Sequence, residues 1–125
     1  MRKSIHEPDI LFVEDDPIIN LSTATILEEM GCKVTAVVHL AAAWESVRQQ
    51  LPDAAVLDVN LQGNSTTLEL ADWLDRKGVP VVFLTAHESP SLREWLDHPV
   101  SQKPCDPDEL ERLVVEALNK KLGQR

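Results

Sequence analysis

The sequence predicts an α/β fold: an open, parallel, five-stranded sheet wound with helices on both faces. Three observations predict it. Short apolar runs alternate five times with longer segments of helical periodicity. Two of these runs, residues 54–59 (AAVLDV) and 79–85 (VPVVFLT), are almost unbroken, as strands buried on both faces must be. Parallel strands joined by right-handed crossovers then place their helices on both sides of the sheet.

Each element has its own signal. Residues 9–13 (DILFV) read as the first strand. A helix follows over residues 17–30, with Ile19, Ile26, Leu27 and Met30 on one face. Asp16 can cap its free N–H groups, Pro17 suits the first helical position, and Gly31 suits the residue past its end. Residues 33–38 read as the second strand. Leu40, Ala43, Trp44, Val47 and Leu51 share the face of a second helix, which Pro52 stops. Residues 54–59 form the third strand and 61–66 (LQGNST) a loop. Leu70, Trp73 and Leu74 mark a third helix that Gly78 closes. Residues 79–85 form the fourth strand, 91–96 a short and weakly patterned helix, and 100–103 a short fifth strand. The last helix opens on Asp106-Pro107-Asp108-Glu109, a capping-box spacing. It buries Leu110, Leu113, Val114, Ala117 and Leu118, has Leu122 at the edge of that stripe, and ends at Gly123.

Composition narrows the function. A chain of 125 residues has the size of one compact domain, and 43% hydrophobic residues favour a packed core over disorder. The expected organisation is one domain over 1–125, with residues 1–8 as a tail and no output domain. A net charge of −9 argues against binding nucleic acid or anionic membranes. The two cysteines, Cys32 and Cys105, have no metal-ligand spacing, and no apolar stretch reads as a signal peptide or membrane span. A reducing, cytoplasmic setting is expected.

Ligands of such sheets bind beyond the carboxyl ends of the strands, where strand order reverses. Glu14-Asp15-Asp16 follows the first strand and Asp58 ends the third. Thr85 ends the fourth, and Lys103-Pro104 ends the fifth. Crowded carboxylates are costly unless a cation fills the gap, and Mg²⁺ prefers hard oxygen ligands. A carboxylate such as Asp58 can take up a phosphoryl group as an acyl phosphate. A lysine, a hydroxyl and a metal are the groups that stabilise the charge on its oxygens.

The segments ILFVEDDP, AAVLDVN, VVFLTA and SQKP, in this order, resemble the receiver domains of bacterial two-component response regulators. The resemblance implies a flavodoxin-like (βα)5 sheet of strand order 2-1-3-4-5. It implies Asp58 as phosphoacceptor, with Thr85 and Lys103 facing the phosphoryl group. The implied Mg²⁺ ligands are Asp15 and Asp58 directly, Glu14 through water, and the backbone carbonyl of Asn60. It further implies a cis Lys103–Pro104 bond. The side chains of Asn60 and His87 would flank the attacking water. The stretches LDVNLQGN, ADWLDRKGVPVVFLTAH and PVSQKPCDPDEL resemble stand-alone alphaproteobacterial receivers that work with HWE-type histidine kinases, although that group often has FATG where this chain has FLTAH. The implied role is to accept phosphate from a histidine kinase. The domain would then signal through a protein partner, or act as a phosphate sink or relay. Val100 stands where most receivers have a rotating Tyr or Phe, so another switch is expected, namely ordering of residues 86–99 on phosphorylation.

Other readings compete. A receiver that only docks, without phosphate, would not need every site position filled. An aspartate-nucleophile phosphatase usually has a second acid where Asn60 stands. A flavin-binding sheet would need a Ser/Thr/Gly-rich loop in place of EDDPII. Among single residues, capping alone accounts for Asp16, and Thr85 has an ordinary strand reading. His87 reads rather as an exposed loop residue than as a flank of the pocket. His6, His39 and His98 lack ligand spacing, and Trp44, Trp73 and Trp95 read as packing anchors.

Overall fold

The computed structural model describes residues 7–61, 65–86 and 98–123, with side chains as far as residue 120. Its strands are β1 (Asp9–Val13), β2 (Lys33–Val37), β3 (Ala54–Asp58), β4 (Val81–Thr85) and β5 (Val100–Gln102). Among the described residues there are four helices: α1 (Pro17–Glu29), α2 (Leu40–Gln49), α3 (Leu68–Arg76) and α4 (Pro107–Gly123). All strand pairs are parallel, in the order β2-β1-β3-β4-β5. This is the flavodoxin-like arrangement expected from the sequence. The short helix expected over residues 91–96, His87, Trp95 and His6 lie outside the described residues, as does the side chain of Leu122. So does most of the 86–99 segment expected to become ordered.

The two faces of the sheet bury alternate residues of the same strands, as the period of two requires. Leu11, Val13, Leu57 and Phe83 meet Ala43, Val47, Leu70 and Leu74 of α2 and α3. Ile10, Phe12, Val56 and Leu84 meet Leu27 of α1 and Leu110 and Val114 of α4. The central strands β3 and β4 are buried throughout, which explains their unbroken apolar runs. Gly31 and Gly78 both adopt positive φ just past α1 and α3, so only a residue without Cβ sits there without strain.

Several expectations are corrected. The buried face of α1 is Asn20, Thr23, Ala24 and Leu27, with Ile26 and Met30 only half-buried. It therefore lies partly on polar residues, while Ile18 and Leu21 are 80% and 71% exposed. The reason is Asn20, whose side chain reaches the backbone at the ends of β1 and β2. Leu51 lies beyond the end of α2 and is 42% exposed, because the helix stops at Gln49. Strand ends retract to Val37, Asp58 and Gln102, and β4 starts at Val81, two residues late, where pairing with β3 begins. Asp106 caps α4 through Asp108 N–H, but Glu109 does not complete a capping box. Its Oε1 instead accepts a 2.6 Å hydrogen bond from the buried Ser101 of β5.

Candidate functional site

Strand order reverses between β1 and β3, which lie side by side although a whole βα unit separates them in sequence. Their carboxyl ends deliver Glu14, Asp15 and Asp58 to one rim, and β5 delivers Lys103 from the far edge. Glu14 is fully buried and Asp58 nearly so. The Lys103 ammonium bridges them, with Nζ 2.9 Å from Glu14 Oε1 and 3.2 Å from Asp58 Oδ2. The other Glu14 oxygen accepts the Asp16 N–H at 3.1 Å. One carboxylate oxygen from each of Glu14, Asp15 and Asp58 lies within 4.8 Å of the others.

Burial first, and then the Glu14 charge, push the Asp58 carboxyl from 3.8 up to about 6. Lys103 opposes this rise and Asp15 adds to it. Burial disfavours the Lys103 ammonium, but the hydrogen bonds and charges of Glu14 and Asp58 outweigh it and hold its pKa above the usual lysine value. One ammonium thus serves two buried carboxylates, with Asp15 close beside them, and Asp58 carries the remaining repulsion. A divalent cation would relieve it. The donor set, hard oxygens from few side chains with one partly open to water, is the kind that Mg²⁺ takes.

The sequence matches the response regulator receiver domain family over residues 10–115. The chain belongs to that family, the receivers of two-component systems. Receiver domains bind Mg²⁺ at an acidic pocket, and the acidic group found in this receiver could hold a metal. The chain is 32% identical over 115 residues to the sensor protein GacS of Pseudomonas syringae, covering 80% of this chain and 13% of GacS. To the phyllosphere-induced regulator PhyR of Methylorubrum extorquens it is 29% identical over 118 residues, covering 88% of this chain and 43% of PhyR. The crystal structure of NtrX from Brucella abortus superposes with a TM-score of 0.85 at 25% identity, over 94% of this chain and 28% of NtrX. The receiver thus spans less than half the length of these larger proteins.

The remaining expected site residues fall as follows. Thr85 is buried at the end of β4, paired with Gln102, and its carbonyl accepts the Lys103 N–H at 2.8 Å. The Lys103–Pro104 bond is cis. Asn60 is exposed, two residues past β3, in a bridge with Thr66. Asp16 caps α1, its Oδ1 accepting from Ile18 N–H and Ile19 N–H at 2.9 and 3.1 Å. Val100 is buried beside Phe83 in the sheet. Trp44 and Trp73 pack edge-to-face at 5.6 Å, joining α2 to α3, as packing anchors do. Both cysteines are free, and burial raises their pKa values (Cys105 to about 11), so neither is primed as a nucleophile. No helix among the described residues is long and apolar enough to cross a membrane.

Sequence reasoning missed two polar residues that hold the site from behind. Asn20 Nδ2 donates to the Glu14 and Val37 carbonyls at 2.9 and 3.0 Å. Thr67, fully buried, donates its hydroxyl to the Asp58 carbonyl at 2.7 Å. A polar residue on the apolar face of α1 was the available signal for Asn20. For Thr67 there was none, since its partner is nine residues away along a loop.

Proposed function

We propose that this receiver accepts a phosphoryl group on Asp58 from a sensor histidine kinase, in a Mg²⁺-dependent reaction, and signals through phosphorylation-dependent contact with another protein. The observation that carries this reading is the buried Asp58 carboxylate, set between two further acids and a lysine ammonium. A carboxylate so placed is desolvated and poorly neutralised, which makes it a better nucleophile than one in water. Its oxygen forms the new bond to phosphorus as the bond to the donor's oxygen or nitrogen breaks. The leaving group departs with that electron pair. Lys103 faces the charge on the transferred oxygens, and Thr85 offers a hydroxyl at the neighbouring strand end. Mg²⁺, held by Asp15, Asp58 and the Asn60 carbonyl, with Glu14 reaching it through water, would supply positive charge for the same oxygens.

The domain acts as one receiver unit in the cytoplasm, and its kinase is of the HWE type. The subgroup stretches LDVNLQGN and PVSQKPCDPDEL support that choice of kinase. The test is intact-protein mass spectrometry after incubation with acetyl phosphate. The parent should gain one phosphoryl group with Mg²⁺ and none with a chelator, and Asp58→Ala should gain none. Labelling without a divalent ion would overturn the metal's role, and an unlabelled parent would overturn the reading.

A further inference from the structure

We propose that Thr67 is a positioning residue for Asp58, which orients the acceptor carboxylate by gripping its own backbone carbonyl. Thr67 is the N-cap of α3, a place where threonine normally turns its oxygen to accept from the first free N–H groups of the helix. Its side chain makes no such bond. The fully buried hydroxyl is aimed the other way and donates to the Asp58 carbonyl at 2.7 Å. The cap is left to Thr66, whose Oγ1 accepts Leu68 N–H only at 3.5 Å. A helix start that gives up its own cap to hold a carbonyl of the site breaks a local rule where function, rather than stability, would require it.

The place of that grip matters. Pairing between β1 and β3 ends at Val13 and Leu57, one residue short of Asp58. Asp58 is paired only on the β4 side, with Leu84. Thr67 supplies the missing restraint. Its N–H also donates to the Val59 carbonyl at 3.1 Å, and Leu61 N–H donates to the Ser65 carbonyl at 2.8 Å. Thr67 thereby ties Asp58 and Val59, where the chain leaves β3, to the start of α3. The direction of the Asp58 carboxylate depends on its backbone, and the rate of an in-line transfer depends steeply on that direction. The inference rests on Asp58 being the acceptor.

The experiment compares Thr67→Val, Thr67→Ser and Thr67→Cys with the parent, using acetyl phosphate and saturating Mg²⁺. The maximal phosphorylation rate of Thr67→Val should fall roughly tenfold, a smaller loss than the roughly hundredfold of a ~1 Å misplacement. The donor concentration at half-maximal rate should not move, because the donor does not touch Thr67. Thr67→Ser, which keeps the hydroxyl, should restore the parent rate. A less stable Thr67→Val protein that labels at the parent's maximal rate would make Thr67 merely structural and overturn the inference. Should Thr67→Val fail to fold, Thr67→Cys takes its place as a weak donor, and equal rates for the cysteine and serine variants would overturn it. An unlabelled parent would instead refute Asp58 as acceptor, and the inference would fall with it.

Discussion

Replacing Asp58 with asparagine should stabilise the protein at neutral pH while destroying its proposed function. In the fold, burial and the Glu14 charge raise the Asp58 carboxyl from 3.8 to about 6. A raised carboxyl pKa means that the folded state prefers the protonated form. Its stability contribution is present below about pH 4 and is lost as pH rises through about 6. About two pKa units at roughly 1.36 kcal/mol each set an upper limit of about 3 kcal/mol for the strain at about pH 7.5. The side chain is only 5% exposed, so solvent does little to screen it. The asparagine side chain would be neutral and could still accept from Lys103, so Asp58→Asn should gain about 1–3 kcal/mol at about pH 7.5. The gain should shrink towards zero by about pH 4. Urea unfolding followed by tryptophan fluorescence measures both. Saturating Mg²⁺ should close the gap by stabilising the parent, by about 2.7 kcal/mol at a roughly hundredfold excess over its Kd. A variant no more stable than the parent at neutral pH, with a pH-independent difference, would refute the electrostatic reasoning.

Metal binding should separate two of the acids. Asp15→Asn should weaken Mg²⁺ binding by more than the roughly tenfold expected for Glu14→Gln, because both Glu14 oxygens already hold protein donors; calorimetric titration checks this, and equal losses would count against it. Asn20→Leu should cost about 2 kcal/mol by leaving the Glu14 carbonyl without its side-chain donor and the Val37 carbonyl with only the Glu14 N–H. A neutral change in urea unfolding would contradict that staple.

The fold was legible wherever strands are buried on both faces. The apolar runs of β3 and β4 need no tertiary information to be recognised, and neither do caps such as Asp16 and Asp106. The site was legible for a related reason: chain direction in a parallel sheet sends every strand's carboxyl end to one rim, so Glu14, Asp15, Asp58, Thr85 and Lys103 had to meet there. Hydrophobic periodicity was incomplete on α1: Leu27 is buried and Ile26 and Met30 pack half-buried on the core, but Asn20 and Thr23 take buried positions that it does not mark. A hydrophobic count cannot weigh a polar side chain whose partners are two strand-end carbonyls. Glu109 misled because its carboxylate accepts from Ser101, a residue of another element, which no local spacing reveals. Thr67 was invisible because its hydroxyl has the same composition whether it caps α3 or grips Asp58.

The most direct measurement of the central claim locates the phosphoryl group itself. The parent is labelled with acetyl phosphate and Mg²⁺, the acyl phosphate is reduced with borohydride, and the peptides are sequenced by mass spectrometry. Reduction converts a phosphorylated aspartate to homoserine and leaves free carboxylates unchanged. Homoserine should appear in place of Asp58 and nowhere else. Homoserine in place of Asp15 or another acid, with Asp58 unmodified, would contradict the assignment of Asp58 as acceptor.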